Sequence, residues 1–501
     1  MEVIDSVIFG FSHAVTFNNL MFTVAGVTLG SLVGVLPGIG PLGAMSLLLG
    51  VTFGMTPTQT LIFFAGIYYG SMYGGSTTSI LLNVPGEATS VITCIDGYKM
   101  TLKGRAGAAL FIAAVGSFVA GTLSVVGLML FAPPLAKFAL RFGSPEYFSM
   151  MVVGLIALAS ISSGSKLKAT LMILFGILIS TIGMAPGSGN LRFTFSTHAL
   201  SQGIDFVAVA MGIFGITEII DIIVKKSESV SVKAVPLREI IPNREEFRRS
   251  IGPVLRGSVL GFFIGLIPGP AAVIASFASY GLEKKLSKHP EEFGNGAIEG
   301  LAGPESANNA AAGGAFLPLM ALGIPFAPPM ALVLAGLLIT GIMPGPTFIQ
   351  DHPDTFWVFV ASMYIGNVLL LILNLPLVGV FVAVLRTPER ILMPIVAILC
   401  LIGVYAVNSS SIDIWVLIVA GVGGYVLRSH GYDFAPLVLA IVLGPKIEMY
   451  LAESLSISGG DLSIFLKRPI SLGILLIPLI FVGIKLASIF FQKFNRSRCA
   501  G

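Results

Sequence analysis

GSLVGVLPG, residues 30–38, is an apolar stretch with glycine at every fourth position that ends in a Pro-Gly break. It returns as GFFIGLIPG at residues 261–269, so Gly30, Gly34, Pro37 and Gly38 pair with Gly261, Gly265, Pro268 and Gly269 at one offset of 231. Where a helix breaks in lipid, its unpaired backbone groups must be satisfied by protein or by a water-filled cavity. The surroundings of both copies are membrane-like. Of 501 residues, 55% are hydrophobic and 11% charged, and the mean hydropathy is +0.93. Apolar runs at 106–131, 147–161, 167–184, 206–224, 356–385, 391–407, 414–427 and 469–490 approach the roughly 20 residues that span a bilayer.

The repetition continues along the chain. Asn83-Val84-Pro85 matches Gly323-Ile324-Pro325 at an offset of 240, and Pro133, Pro145 and Glu146 match Pro376, Pro388 and Glu389 at 243. Cytoplasmic loops of membrane proteins are enriched in Lys and Arg. Residues 1–98 contain neither, whereas Lys99, Lys103 and Arg105 follow, and Lys225–Arg256 and the C-terminus (Lys493, Arg496, Arg498) are basic. The segment equivalent to Lys99–Arg105 carries Asp351 and Asp354 instead. Opposite charge at equivalent loops predicts inverted halves. The expected fold is an all-α polytopic membrane protein of two inverted-topology repeats with broken helices and re-entrant hairpins, roughly 10–12 transmembrane segments in total. Its parts are a first repeat at 1–224, a basic cytoplasmic linker at 225–256, a second repeat at 257–468, and a final helix with a cytoplasmic tail at 469–501.

Paired breaks in two halves point to a transport site. In the first half, Gly74-Gly75 predicts a turn, Ser76, Thr77, Thr78 and Ser79 supply hydroxyls, Asn83 an amide, and Pro85-Gly86 a second break. In the second half, Glu305, Ser306, Asn308 and Asn309 lie in a small, apolar stretch that ends at Pro325. A carboxylate at membrane depth is expensive and marks function by default. Ordinary helix capping and small-residue packing use the same residue types. The expected substrate set is Ser76, Thr77, Thr78, Ser79, Asn83, Ser306, Asn308 and Asn309. The expected lining breaks are Pro37, Gly38, Gly40, Gly74, Gly75, Pro85, Gly86, Pro268, Gly269, Pro270 and Pro325. No Lys or Arg occurs between His289 and Leu385, so an anion here needs helix N-termini, hydroxyls and a co-bound cation. Sodium, near Glu305 and Asn309, suits such oxygen ligands. No other cofactor is expected. Cys94, Cys400 and Cys499 have no metal or disulfide spacing, and HExxH, Walker and CxxC motifs are absent from the sequence, which argues against an enzyme. Met1–Ser6 has no cation and does not read as a signal peptide.

The motifs GVLPGIGP (34–41), YYGSMYGGSTTSILLNVPGEATS (68–90), DGYKMTLKGRAGAAL (96–110), GLIPGP (265–270) and GPESANNAAAGGAFLPLMALGIP (303–325) closely resemble the large membrane subunit of the tripartite tricarboxylate transporters, the TctA family. The resemblance covers nearly the whole chain. It implies a bacterial inner-membrane secondary transporter, without enzymatic activity, that imports citrate or related carboxylic acids with cation coupling. It also implies two partners, a small membrane subunit and a periplasmic solute-binding protein; nucleic acid is not implied. The alternatives are a stand-alone proton-coupled permease with Glu305 as proton carrier, and an intramembrane enzyme, for which Glu305 alone is not a catalytic set.

Overall fold

The computed structural model describes residues 3–36, 40–161, 165–185, 189–197, 200–225, 241–376, 394, 397–398, 400–402, 404–405 and 410–478. Pro37 and Gly38, residues 226–240 of the basic linker, Pro388 and Glu389, most of the 391–407 run and the end of the 469–490 run lie outside the described residues.

The described chain is helical, apart from one two-residue hairpin pairing β1 (Gly183–Met184) with β2 (Leu191–Arg192). The first half gives α1 (Val3–Ala14), α2 (Phe17–Val35), α3 (Gly40–Leu48), α4 (Pro57–Leu82), α5 (Val91–Leu102), α6 (Ala106–Ala139), α7 (Ser144–Ile161), α8 (Lys166–Ser180), α9 (Phe206–Met211) and α10 (Thr217–Lys225). The second gives α11 (Arg244–Gly265), α12 (Ala271–Leu286), α13 (Ile298–Gly314), α14 (Phe316–Leu322), α15 (Pro328–Ile339), α16 (Phe348–Asp351), α17 (Pro353–Asn374), α18 (Ser411–Ser429) and α19 (Ala435–Ile457). Among the described residues, α2, α6, α17, α18 and α19 are long and apolar enough to cross a membrane.

Glycine spacing builds the two central helix pairs. A Cβ on Gly26, Gly30 or Gly34 of α2 would stand 2.6, 2.5 or 2.3 Å from the carbonyl oxygens of Phe63, Ile67 and Ser71 on α4. On α11, a Cβ at Gly257, Gly261 or Gly265 would stand 2.3, 2.2 or 2.5 Å from those of Gly303, Ala307 and Ala311 on α13. Within each pair the contacts advance together, so the two helices run parallel, backbone to backbone, as small residues at fourfold spacing allow. The chain between them, through α3 or α12, returns to the starting end. Across the halves the order reverses. Tyr69, Ser76 and Ile80 of α4 meet Gly313, Glu305 and the Gly97–Leu301 contact in turn, so α4 and α13 are antiparallel. The helices then interlock: α6 packs on α11 and α13, and α17 on α2 and α4.

Both break regions end in the same backbone geometry. Asn83 caps α4 at φ 58° and Gly323 caps α14 at φ 70°, the left-handed C-cap conformation that Gly and Asn tolerate.

One expectation is corrected here. Gly74-Gly75 does not turn the chain; α4 runs unbroken from Pro57 to Leu82. These glycines serve contact instead. A Cβ on Gly74 would stand 2.4 Å from the Ser31 oxygen, and one on Gly75 3.1 Å from Glu87 Cγ. The four hydroxyls after them do not open a helix either. Thr77, Thr78 and Ser79 each donate back to a carbonyl of the preceding turn, which satisfies them within the helix, whereas the Ser76 hydroxyl lies within reach of both the Met72 carbonyl and the Glu305 carboxylate.

Candidate functional site

The break regions surround a cavity of about 620 Å³, within the size range of small-molecule sites. From the first half it takes Gly40 and Pro41, at the start of α3, and the loop Pro85–Thr89. From the second half come Gly269 and Pro270, the first residues of α12, and Ala327–Pro329 at the start of α15. Tyr432–Ala435 bring in the start of α19, and Ile213 and Phe214 come from a π-helical bulge at Gly212–Ile216. Four helices thus direct their N-termini at one space, and each N-terminus carries a partial positive charge. A site of this kind suits an anion.

The wall also carries full charges. Arg428 faces the cavity and lies 3.9 Å from Asp221. Asp433 accepts the Ala435 N–H at 3.0 Å. Glu87 accepts the Thr89 hydroxyl at 2.5 Å, and its side chain caps the turn of Ala88–Ser90.

Behind this wall lies a buried polar layer between α4, α5, α6 and α13. Glu305, 1% exposed, accepts the Ser76 hydroxyl at 2.5 Å and the Thr93 hydroxyl. Asn309 donates to Ser117 at 2.7 Å and to the Glu305 carbonyl at 3.1 Å. Ser76, Thr77, Tyr73, Ser117 and Asn374 border a void of about 10 Å³, room for roughly one water. Asn308 is buried within electrostatic reach of Glu87, but its amide makes no hydrogen bond of normal geometry among the described residues.

The sequence-derived residues therefore fall into two groups. Gly40, Pro85, Gly86, Gly269 and Pro270 line the large cavity. Ser76, Thr77, Glu305 and Asn309 meet in the polar layer. Thr78 and Ser79 are buried in α4, Ser306 packs toward Gly116 of α6, and Asn83 is exposed at its cap. Pro268, Pro325, Gly74 and Gly75 are not in the cavity wall. Sequence reasoning missed Glu87, Thr93, Arg428 and Asp433. Glu87 and its neighbours sit in the VPGEATS motif, where an acid beside a Pro-Gly break was the available signal. Asp433 belongs to GYDF (431–434), which repeats GIDF (203–206). Both aspartates cap a helix, at Val207 and Ala435, and both glycines have positive φ.

One end of the molecule is bound by charge. Asp96 Oδ1 accepts the N–H groups of Gly294, Gly296 and Ala297 at 2.9, 2.7 and 2.9 Å, and Oδ2 accepts the Tyr280 hydroxyl at 3.0 Å. Arg249 bridges Glu292 and Glu299, Arg105 pairs with Glu246, and Lys103 donates to the Asn295 carbonyl at 2.6 Å. The Arg249 hydrogen bond, opposed by partial burial, holds the Glu292 carboxyl below its usual range.

Comparison with known proteins agrees with this architecture. Residues 20–439 match the family described as "Tripartite tricarboxylate transporter TctA family". Over 487 residues, 97% of each chain, the protein is 49% identical to the "Uncharacterized 52.8 kDa protein in TAR-I ttuC' 3'region" of Agrobacterium vitis. It is 51% identical over 215 residues to the "Uncharacterized protein in TAR-II ttuC' 3'region" of the same organism, covering 43% of this chain and 89% of that one. No solved structure matches. With five helices able to cross a membrane and a family match over most of its length, the chain is a multi-pass membrane protein that belongs to the tripartite tricarboxylate transporter TctA family.

Proposed function

We propose that this chain is the large membrane subunit of a bacterial inner-membrane system that imports tricarboxylates or related carboxylic acids, driven by sodium. A periplasmic binding protein delivers the substrate, and a small membrane subunit completes the complex. The chain acts as two inverted repeats. The substrate occupies the cavity between the break regions, and sodium binds in the polar layer at Glu305 and Asn309, with the Ser76 and Thr93 hydroxyls beside it.

One observation carries this reading: segments beside the breaks of both halves, with the starts of four helices, line one cavity of about 620 Å³. Such sites bind anionic groups without a dedicated basic cluster. The inverted arrangement is supported by the antiparallel α4–α13 contact between two internally parallel pairs. It is also supported by the opposite loop charges. Glu305 supports the ion role because a buried carboxylate flanked by the Ser76 and Thr93 hydroxyl oxygens offers the hard ligands a cation such as sodium takes.

Uptake into proteoliposomes that hold the full complex tests the coupling. Citrate and other di- and tricarboxylates should enter only with external sodium. Uptake driven equally by a pH gradient in potassium refutes sodium coupling and favours the stand-alone proton-coupled permease. Thr77→Val and Asn309→Ala should alter uptake, and unchanged apparent affinity in both removes these segments from the site. Impermeant labelling of single cysteines at positions 101 and 351 should mark opposite sides; labelling from one side refutes the inversion.

A further inference from the structure

We propose that Glu87 is a cation ligand, and that it and a carboxylate of the bound substrate share one sodium ion inside the cavity. This rests on the carboxylate-transport reading above and locates a coupling step at a residue outside the Glu305 layer.

The argument starts from the charges on the wall. Glu87, Asp433 and Arg428 all line the cavity, so two carboxylates accompany one guanidinium. Arg428 stands beside Asp221, and Asp433 is a helix cap. Among the described residues, Glu87 has no ion-pair partner. A second acid, Glu305, lies within electrostatic reach behind it. The helix N-termini favour an anion, but burial in this wall disfavours the charged form of Glu87, and a carboxylate entering alone at short range disfavours it further. A cation placed between the two carboxylates converts their repulsion into two attractions.

Glu87 is also built to stay in place. Its side chain caps the Ala88–Ser90 turn, and the Glu87 N–H donates to the Ser90 hydroxyl oxygen at 3.3 Å. Its Cγ rests where a Cβ on Gly75 would come within 3.1 Å, so the glycine makes room for the acid. The Thr89 hydroxyl at 2.5 Å adds a neutral oxygen of the kind a hard cation accepts. A fixed acid cannot swing away when the anion enters. Substrate and sodium must then bind together, and by linkage each raises the affinity of the other by the same factor.

The test is binding to the purified complex of this chain with its small membrane subunit in lipid nanodiscs, read by calorimetry. The ligand is whichever of citrate, tricarballylate or succinate stabilises the protein most in sodium. In wild type, affinity should be at least about tenfold higher in sodium than in potassium, within the usual range of coupling between sites. Glu87→Gln keeps the cap and removes the charge, so binding should persist with a sodium dependence at least about threefold smaller than in wild type, the remainder coming from the Glu305 layer. Glu87→Asp keeps the charge and should keep the sodium dependence. Substrate-stimulated binding of radioactive sodium should fall by one ion per chain in Glu87→Gln. A folded Glu87→Gln protein with wild-type sodium dependence, or a Glu87→Asp protein without it, overturns the assignment but leaves coupling at Glu305 intact. A wild-type protein that binds no carboxylate, or binds it equally in both salts, overturns this assignment and the sodium-coupled reading together.

Discussion

Asp96→Asn is the sharpest perturbation of the contact between the two halves. Asp96 sits on α5 and is fully buried, yet one of its oxygens receives three backbone N–H groups from residues 294–297, in the segment that leads into α13. Gly294 and Gly296, at φ 89° and 98°, give that segment the shape that brings its N–H groups to one point. Hydrogen bonds to a charged acceptor contribute about 1.5–3 kcal/mol each and neutral ones about 0.5–1.5. Asparagine keeps the acceptor and the volume but loses the charge, so each of the three bonds should weaken by about 1 kcal/mol. The Tyr280 hydroxyl can accept from the new amide, which offsets the fourth. Local opening should become easier by about 2–3 kcal/mol in total. That is a roughly 30–150-fold fall in protection, since each 1.4 kcal/mol is tenfold. Hydrogen exchange with mass spectrometry reads it directly from a peptide covering residues 290–300. The loss should be confined to that peptide and the end of α5. Protection changed by less than about threefold, or lost equally across α13, refutes the idea that Asp96 is the anchor of this segment.

Three further outcomes are expected. Gly261→Ala should destabilise the protein by about 1–3 kcal/mol or more through overpacking, because its Cβ would stand 2.2 Å from the Ala307 oxygen. Gly281→Ala, with open space around it, should be neutral or slightly stabilising by helix propensity, and chemical unfolding in detergent separates the two. Arg428→Ala removes the guanidinium from the cavity wall and should weaken carboxylate binding about tenfold or more, the value of one charge-assisted hydrogen bond; unchanged affinity would exclude it from the substrate site. The Glu292–Arg249 contact should have a defined pH profile. Because the Glu292 carboxyl is held below its usual range, its stabilisation is present above the unfolded value of about 4.3 and is lost as pH falls through its lower folded value. The protection factor of the 290–300 peptide, corrected for the intrinsic exchange rate at each pH, should therefore fall on acidification, and Glu292→Gln should remove that fall.

The glycine spacing of α2 and α11 is legible in the sequence, and the structure shows its cause, close approach to a partner helix that the sequence does not name. A backbone oxygen 2.2–2.6 Å from a would-be Cβ admits only glycine, and a parallel contact sustained over two turns repeats the rule every fourth residue. That pattern is local to one helix and is visible without the partner. The same rule explains the misreading at Gly74-Gly75. Glycine permits a turn and also permits contact, and only the position of Ser31 on α2 and of Glu87 beyond the break decides between them. The hydroxyl run beside it was ambiguous for a similar reason. Ser and Thr can cap a helix start or bond back within a helix, and α4 uses the second option at Thr77, Thr78 and Ser79 in succession.

The cavity wall was only half legible, because its two kinds of residue obey different constraints. The breaks announce themselves, since Pro and Gly are needed wherever the chain leaves one helix and begins another at membrane depth. The charges do not. Arg428 lies outside both cation-free windows, at 1–98 and 289–385, and reaches the cavity only because α18 ends beside the start of α19. A search for a basic residue near the motifs in sequence therefore could not find it. Glu87 was in view, two residues after Pro85, but Glu305 drew the attention because it stands inside an apolar stretch. The structure separates the two acids by their surroundings. Glu305 is enclosed by donors from α4 and α5, whereas Glu87 opens onto the cavity. In a chamber framed by helix N-termini, an acid held at the wall is the group whose charge an anionic ligand must accommodate, and the cation coupling proposed above rests on that one contact.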